Sequence, residues 1–215
     1  MLHHSHAPTR LKKTLFWGLY LGSVYLLLCL AIRVYRGEAL AFDAAILEYL
    51  AACQNSALDV YFGWTTWAGS AYLLTPLAIA AVAAYLVYRR YAEALLLTVG
   101  LTGASIIMRA TKALVMRERP TLFPSMVELP SDWSFPSGHA AQITAFALAV
   151  ILNMRHARPH WRWLTIIVLS VVVTSVVMSR LYLQVHYPSD VLGGALLALI
   201  WILTIKKFLH VLLAR

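Results

Sequence analysis

Ser179-Arg-Leu-Tyr-Leu-Gln-Val-His-Tyr-Pro-Ser-Asp190 separates two long apolar runs, residues 163–179 and 191–205. It sets Arg180, His186 and Asp190 where a membrane boundary should fall. Charge beside so much hydrophobic sequence is costly unless it is paired or used. Two other stretches, 112–120 and 136–139, interrupt apolar sequence in the same way.

The rest of the chain explains why that boundary matters. Of its 215 residues, 61% are hydrophobic and 13% charged, and the mean hydropathy is +0.72. A soluble domain carries about 25% charged residues. The apolar residues come in blocks, which defines a polytopic membrane protein. Six spans are predicted, at about 14–32, 71–88, 92–112, 137–154, 163–179 and 189–206, in one all-α domain covering 1–215. The net charge of +9 belongs to cytoplasmic loops rather than to nucleic-acid binding, since no basic patch alternates with exposed aromatics.

Between the first two spans, residues 38–54 place Phe42, Ile46 and Leu50 at helical spacing, with Asp43 and Glu48 on other faces. This predicts an amphipathic helix on the outer surface. Residues 55–70, with Asp59, Trp64, Trp67 and Gly69, read as an interfacial aromatic belt leading into a span that tolerates Pro76. The first run is too long for a signal peptide, no small-x-small site follows it, and Leu28 before Cys29 does not suit lipoprotein processing. His3, His4 and His6 read as part of a disordered tail. Gly18 and Gly22 form a GxxxG packing motif. Cys29 and Cys53 fall in different environments, so no disulfide is expected, and two cysteines are too few for a metal site.

Charge fixes the predicted orientation. With both termini cytoplasmic, the inner side holds Arg10, Lys12, Lys13, Arg89, Arg90, Arg155, Arg158, Arg162, Lys206, Lys207 and Arg215. The outer side holds Arg33, Arg36, Lys112, Arg117, Arg119 and Arg180. Arg109 lies within a span, where it is expected to pair or snorkel. Eleven against six satisfies the positive-inside rule. The same orientation puts all three charged interruptions on the outer side.

Each interruption carries groups suited to a phosphate. Lys112 and Arg119 are seven residues apart. If the third helix continues that far, two turns bring them to one face, about 10 Å apart along the axis, until Pro120 stops it. A lysine point charge and an arginine fork can close around an anion. Pro136-Ser137-Gly138-His139 opens the fourth helix, with Pro136 at the first helical position. Its unpaired N–H groups and dipole favour an anion. Ser137 adds a hydroxyl, Gly138 permits close approach and His139 titrates near neutrality. In the opening stretch Pro188 disfavours helix for Tyr187 and suits the start of the sixth helix. Asp190 then lies in that helix's first turn and His186 in the preceding turn. Asp190 is expected to orient His186 from across the turn, leaving one ring nitrogen free as nucleophile. Arg180 adds a second fork.

Lys112-x6-Arg119-Pro120, Pro136-Ser137-Gly138-His139 and Ser179-Arg180-x5-His186-x3-Asp190 together resemble the three-part signature of the type 2 phosphatidic acid phosphatase family. Order and spacing both match. The resemblance implies the core shared with acid phosphatases, vanadium haloperoxidases and glucose-6-phosphatase, and a metal-independent reaction with no cofactor. It implies that His186 attacks phosphorus, Asp190 orients it and His139 protonates the leaving oxygen. Lys112, Arg119, Ser137, Gly138 and Arg180 would hold phosphate oxygens. The loop Ser131-Asp132-Trp133-Ser134-Phe135 has Asp132 where related bacterial enzymes often have Gly.

The function expected is removal of phosphate from a lipid phosphate or diphosphate at the outer face of a bacterial plasma membrane. Undecaprenyl diphosphate and phosphatidylglycerophosphate head the expected substrates, and lipid A phosphatase or phosphotransferase chemistry would use the same residues. A transporter would need charges at mid-span or on the inner side, and Arg109 is its single candidate.

Overall fold

A computed structural model describes residues 8–38, 40–155 and 157–213. His3, His4 and His6, read as part of a disordered tail, lie outside these residues. Among the described residues there are eight α-helices and no strand. They are α1 (Pro8–Tyr35), α2 (Ala41–Ala52), α3 (Ser56–Thr65), α4 (Ala71–Val87), α5 (Tyr91–Val115), α6 (Gly138–Asn153), α7 (Pro159–Tyr182) and α8 (Pro188–Leu213), with a 3₁₀ turn at Thr66–Gly69.

Four helices are long and apolar enough to cross a membrane: Lys13–Tyr35 within α1, then α5, α7 and Pro188–Leu212 of α8. Residues Ser56–Gly69 and α4 make a fifth candidate, bent by 46° at Ser70. Ser70 turns that corner as N-cap, its hydroxyl accepting from Leu73 N. Helix α6, 16 residues long, is shorter than a usual span.

The core lies between α5, α6 and α8. Ala141, Ala145 and Ala149 make a small-residue face on α6 that meets Leu96, Leu97, Ala104 and Met108 of α5 and Leu197, Ala198 and Ile202 of α8. In lipid, close packing replaces the hydrophobic effect between helices, and small residues permit it. Gly194 is the tightest case for the site: a Cβ there would stand 2.4 Å from the Ser137 carbonyl oxygen. This contact seats the start of α8 directly on the start of α6. Gly18 and Gly22, by contrast, face open space. The expected GxxxG packing is therefore not used within the described chain. The two cysteines are free.

Helix α2 corrects the amphipathic reading of 38–54. Phe42 and Ile46 are exposed, while Asp43, Leu47 and Leu50 are buried. The helix turns its carboxylate inward because a cation waits there. Residues 55–69, read as a belt before a span, are themselves helical: Asn55 caps α3 by accepting from Leu58 N, and Trp64 and Trp67 remain exposed.

Candidate active site

The three charged interruptions meet at one end of the bundle, formed by the end of α5, the start of α6, the end of α7, the turn 183–187 and the start of α8. Lys112, Ser137, Arg180, His186 and Asp190 are all buried, and His139 is half-buried.

Lys112 and Arg119 do not share a helix face. Helix α5 ends at Val115, and Met116 takes a left-handed conformation with φ 50°. The chain then turns back, so Arg119 approaches Lys112 from a loop instead of from two turns along the helix. They meet through Asp132. Its carboxylate lies 2.9 Å from Lys112 Nζ and 2.6 Å from Arg119 Nη2. Lys112 also donates to the Trp133 carbonyl, and Arg119 Nε to the Asp132 carbonyl. Burial would raise the Asp132 carboxyl, but the two cations outweigh it and hold its pKa below the usual range. Asp132 is half exposed, with 53% of its side chain accessible. One replaceable anion thus bridges the two cations expected to bind phosphate.

Pro136 precedes the helix rather than opening it. Ser137 is the N-cap, its hydroxyl accepting from Ala140 N, and α6 begins at Gly138. The correction is two residues, and it leaves the first N–H groups of α6 pointing at the same space. His139 packs at the 3₁₀ turn, where a Cβ on Gly69 would stand 3.2 Å from its ring.

His186 and Asp190 meet across the turn. His186 Nδ1 is 3.4 Å from Asp190 Oδ2. The same oxygen accepts from Tyr187 N at 2.9 Å and from the Ser134 hydroxyl, which lies 3.3 Å from His186 Nδ1. A carboxylate at Nδ1 favours the tautomer with its proton there, which leaves the Nε2 lone pair free. Nε2 faces Arg119 Nη1 at 3.3 Å. Burial, opposed by Asp190, lowers the His186 pKa to about 4, so the ring is neutral at neutral pH.

Arg180 donates from Nη1 to the Thr66 hydroxyl at 2.6 Å, while its Nε is buried with no hydrogen-bond partner among the described residues. A buried donor without a protein partner costs about 1–3 kcal/mol.

Arg117, Asp43, Ser134 and Ser189 were not foreseen. Arg117 Nη1 lies 2.6 Å from Asp190 Oδ1 and Nη2 lies 2.8 Å from Asp43 Oδ2. Its guanidinium stacks on Tyr187 at 3.9 Å. Asp43 also accepts from Ser189 N and Ser189 Oγ. Burial pulls the Arg117 pKa down, but Asp190 and Asp43 outweigh it and the net shift is upward. Arg117 lies inside the 112–119 segment, and the one acidic residue of the first turn of α2 is Asp43. Those two facts were the available signal.

The cation pair, the helix N-terminus and the histidine–aspartate pair thus converge at one end of the bundle. Residues 93–212 match the PAP2 superfamily, and the chain belongs to it. It is similar to the undecaprenyl-diphosphatase of Sulfolobus acidocaldarius, 27% identical over 193 residues and covering 87% of each chain. It is 28% identical over 185 residues to phosphatidylglycerophosphatase B of Bacillus subtilis, covering 84% of this chain and 90% of that one. The crystal structure of a transmembrane PAP2-type phosphatidylglycerolphosphate phosphatase from Bacillus subtilis superposes with a TM-score of 0.76 at 26% identity, covering 86% and 94%. The chain is thus a lipid phosphatase of the PAP2 family, and a multi-pass membrane protein.

Proposed function

We propose that this protein hydrolyses the terminal phosphate of a lipid phosphate or diphosphate at the extracytoplasmic face of the plasma membrane, with His186 as nucleophile. The observation that carries this reading is a buried neutral imidazole, tethered at Nδ1 by Asp190, whose Nε2 faces a cluster of cations.

The geometry supports the following reaction. The terminal phosphate displaces the Asp132 carboxylate from Lys112 and Arg119 and takes up the free Nε of Arg180 and the N–H groups at Gly138 and His139, while Ser137 N stays bonded to the Asp190 carbonyl. Phosphoryl transfer needs positioning and neutralisation of the equatorial oxygens, which these groups supply. His186 Nε2 attacks phosphorus, the bond from phosphorus to the bridging oxygen breaks, and His139 gives that oxygen a proton. Asp190 stabilises the imidazolium form as the N–P bond develops. Water then attacks the phosphohistidine, its proton passes to His139, and inorganic phosphate leaves.

Membrane placement rests on the charge count and on the run of apolar helices. It gives one domain, 1–215, with six spans formed by α1, the bent α3–α4 pair, α5, α6, α7 and α8, and both termini in the cytoplasm. Undecaprenyl diphosphate and phosphatidylglycerophosphate lead as substrates because the relatives above bear those activities in their names.

Purified protein assayed with undecaprenyl diphosphate, phosphatidylglycerophosphate, phosphatidic acid and lipid A tests the reading. Phosphate release is expected from at least one of the first two. Release should survive EDTA, and a loss restored by Mg²⁺ would contradict the mechanism. A cysteine placed at Ser125 should react with impermeant thiol reagents in whole cells, and protection there would invert the orientation.

A further inference from the structure

A groove of about 810 Å³ runs down the bundle between α4 and α5, from Leu86 and Thr98 at one end to Ala71, Arg109 and Gln142 at the other. Fifteen residues separate Ala71 from Leu86, so it is roughly 22 Å long at the helical rise. Its walls are apolar apart from a few hydroxyls, of which Thr102 and Ser105 are bonded back to their own helix. Arg109 is its one charged lining residue. The sequence predicted that Arg109 would pair or snorkel. It has no ion pair, hydrogen bond or ring contact with any described residue, and it is exposed to the groove. Gln142 at the same end is likewise unbonded. An unpaired cation in an apolar wall of a membrane helix is costly, and so marks a use.

The groove's charged end adjoins the active site on three sides. Arg109 is one turn before Lys112, about 4.5 Å along the axis. Its neighbour Met108 reaches within 3.4 Å of where a Gly138 Cβ would stand. Gln142 is one turn beyond His139, and Ala71 follows the Gly69 turn on which His139 packs. His139 is the residue assigned to the leaving oxygen. If His139 serves the leaving oxygen, Arg109 is on the side from which the lipid would enter.

We propose that Arg109 binds the second, lipid-side phosphate of a diphosphate substrate, with the hydrocarbon chain in the groove, and so selects diphosphates over monophosphates. This rests on the phosphatase reading above. On departure of the leaving group, the bridging oxygen remains on that second phosphate, and a guanidinium fork holds the charge that it gains. A lipid monophosphate offers Arg109 no such partner.

The test compares farnesyl diphosphate with farnesyl monophosphate, which share one chain, in wild-type protein and in R109A and R109K. The ratio of kcat/KM for diphosphate over monophosphate should fall about tenfold in R109A, as expected for one charged hydrogen-bonding partner. R109K should recover part of it. In a separate measurement, inorganic diphosphate should inhibit wild type more tightly than inorganic phosphate, with the preference lost in R109A. An unchanged ratio in both measurements, as snorkelling would give, overturns the proposal. Wild-type protein that cleaves neither lipid would instead overturn the phosphatase reading itself, and the inhibition ratio would still judge Arg109.

Discussion

Two carboxylate–cation clusters sit within the same end of the bundle, and they do different work. In the first, Arg117 is clamped between Asp43 and Asp190, stacked on Tyr187 and almost sealed from solvent. In the second, Lys112 and Arg119 share Asp132, a half-exposed residue on a loop. The first cluster ties α2, the segment after α5 and the start of α8 together, and fixes the carboxylate that orients His186. The second is closed by a half-exposed group that, on the proposed reading, phosphate replaces. On that reading similar residue types make a strut in one place and a receptor in the other, and the burial of the carboxylate decides which.

That contrast is open to direct attack. The largest effect should come from breaking the strut. D43A leaves a buried guanidinium with one of its two carboxylates, and removing one member of a buried pair costs about 3–5 kcal/mol. Thermal unfolding in detergent should show a large drop, with R117K intermediate because it keeps charge but loses the fork. A D43A protein as stable as wild type would break the distinction.

Removing the loop carboxylate should have a smaller effect on stability. D132A should lower the unfolding temperature less than D43A, because Asp132 is half exposed, although it leaves the buried Lys112 and Arg119 without their shared carboxylate. It should tighten competitive inhibition by inorganic phosphate about three- to tenfold, the range expected for losing one weak competing anion. Weaker inhibition would mean that Asp132 helps hold phosphate instead of standing in its place.

The smallest effect concerns pH. In the proposed reaction His186 attacks as the neutral ring, and burial against the pull of Asp190 lowers its pKa to about 4. Protonation, and loss of the nucleophile, therefore come as pH falls through about 4. After allowance for substrate ionisation, the acidic limb of kcat/KM should have its midpoint there. A midpoint near 6.5 would show that the ring is neither buried nor shielded as described.

Much of this site could be read from residues alone, because the three segments carry charges that apolar sequence does not otherwise tolerate. Pro188 was enough to predict that His186 and Asp190 meet across a turn. What could not be read depends on contacts far apart in the chain. Asp43 was set on a different face from Phe42, Ile46 and Leu50 because helical spacing says which residues share a face, and says nothing of a cation that waits 74 residues away. The course of Arg119 turned on one left-handed residue, Met116, which no turn-favouring glycine or asparagine announces. Pro136 fell two residues before the first helical residue because Ser137 is the better cap. Arg109 was legible as an anomaly, but its lack of a partner needed the packing of α4 and α5.

The central claim is that His186 carries the phosphoryl group, and trapping tests it most directly. Protein quenched during turnover of a lipid diphosphate labelled with ³²P in its terminal phosphate should retain label that is acid-labile and base-stable, mapping to the peptide containing His186 and absent from H186A. Label on another residue, or full turnover by H186A, would contradict the account.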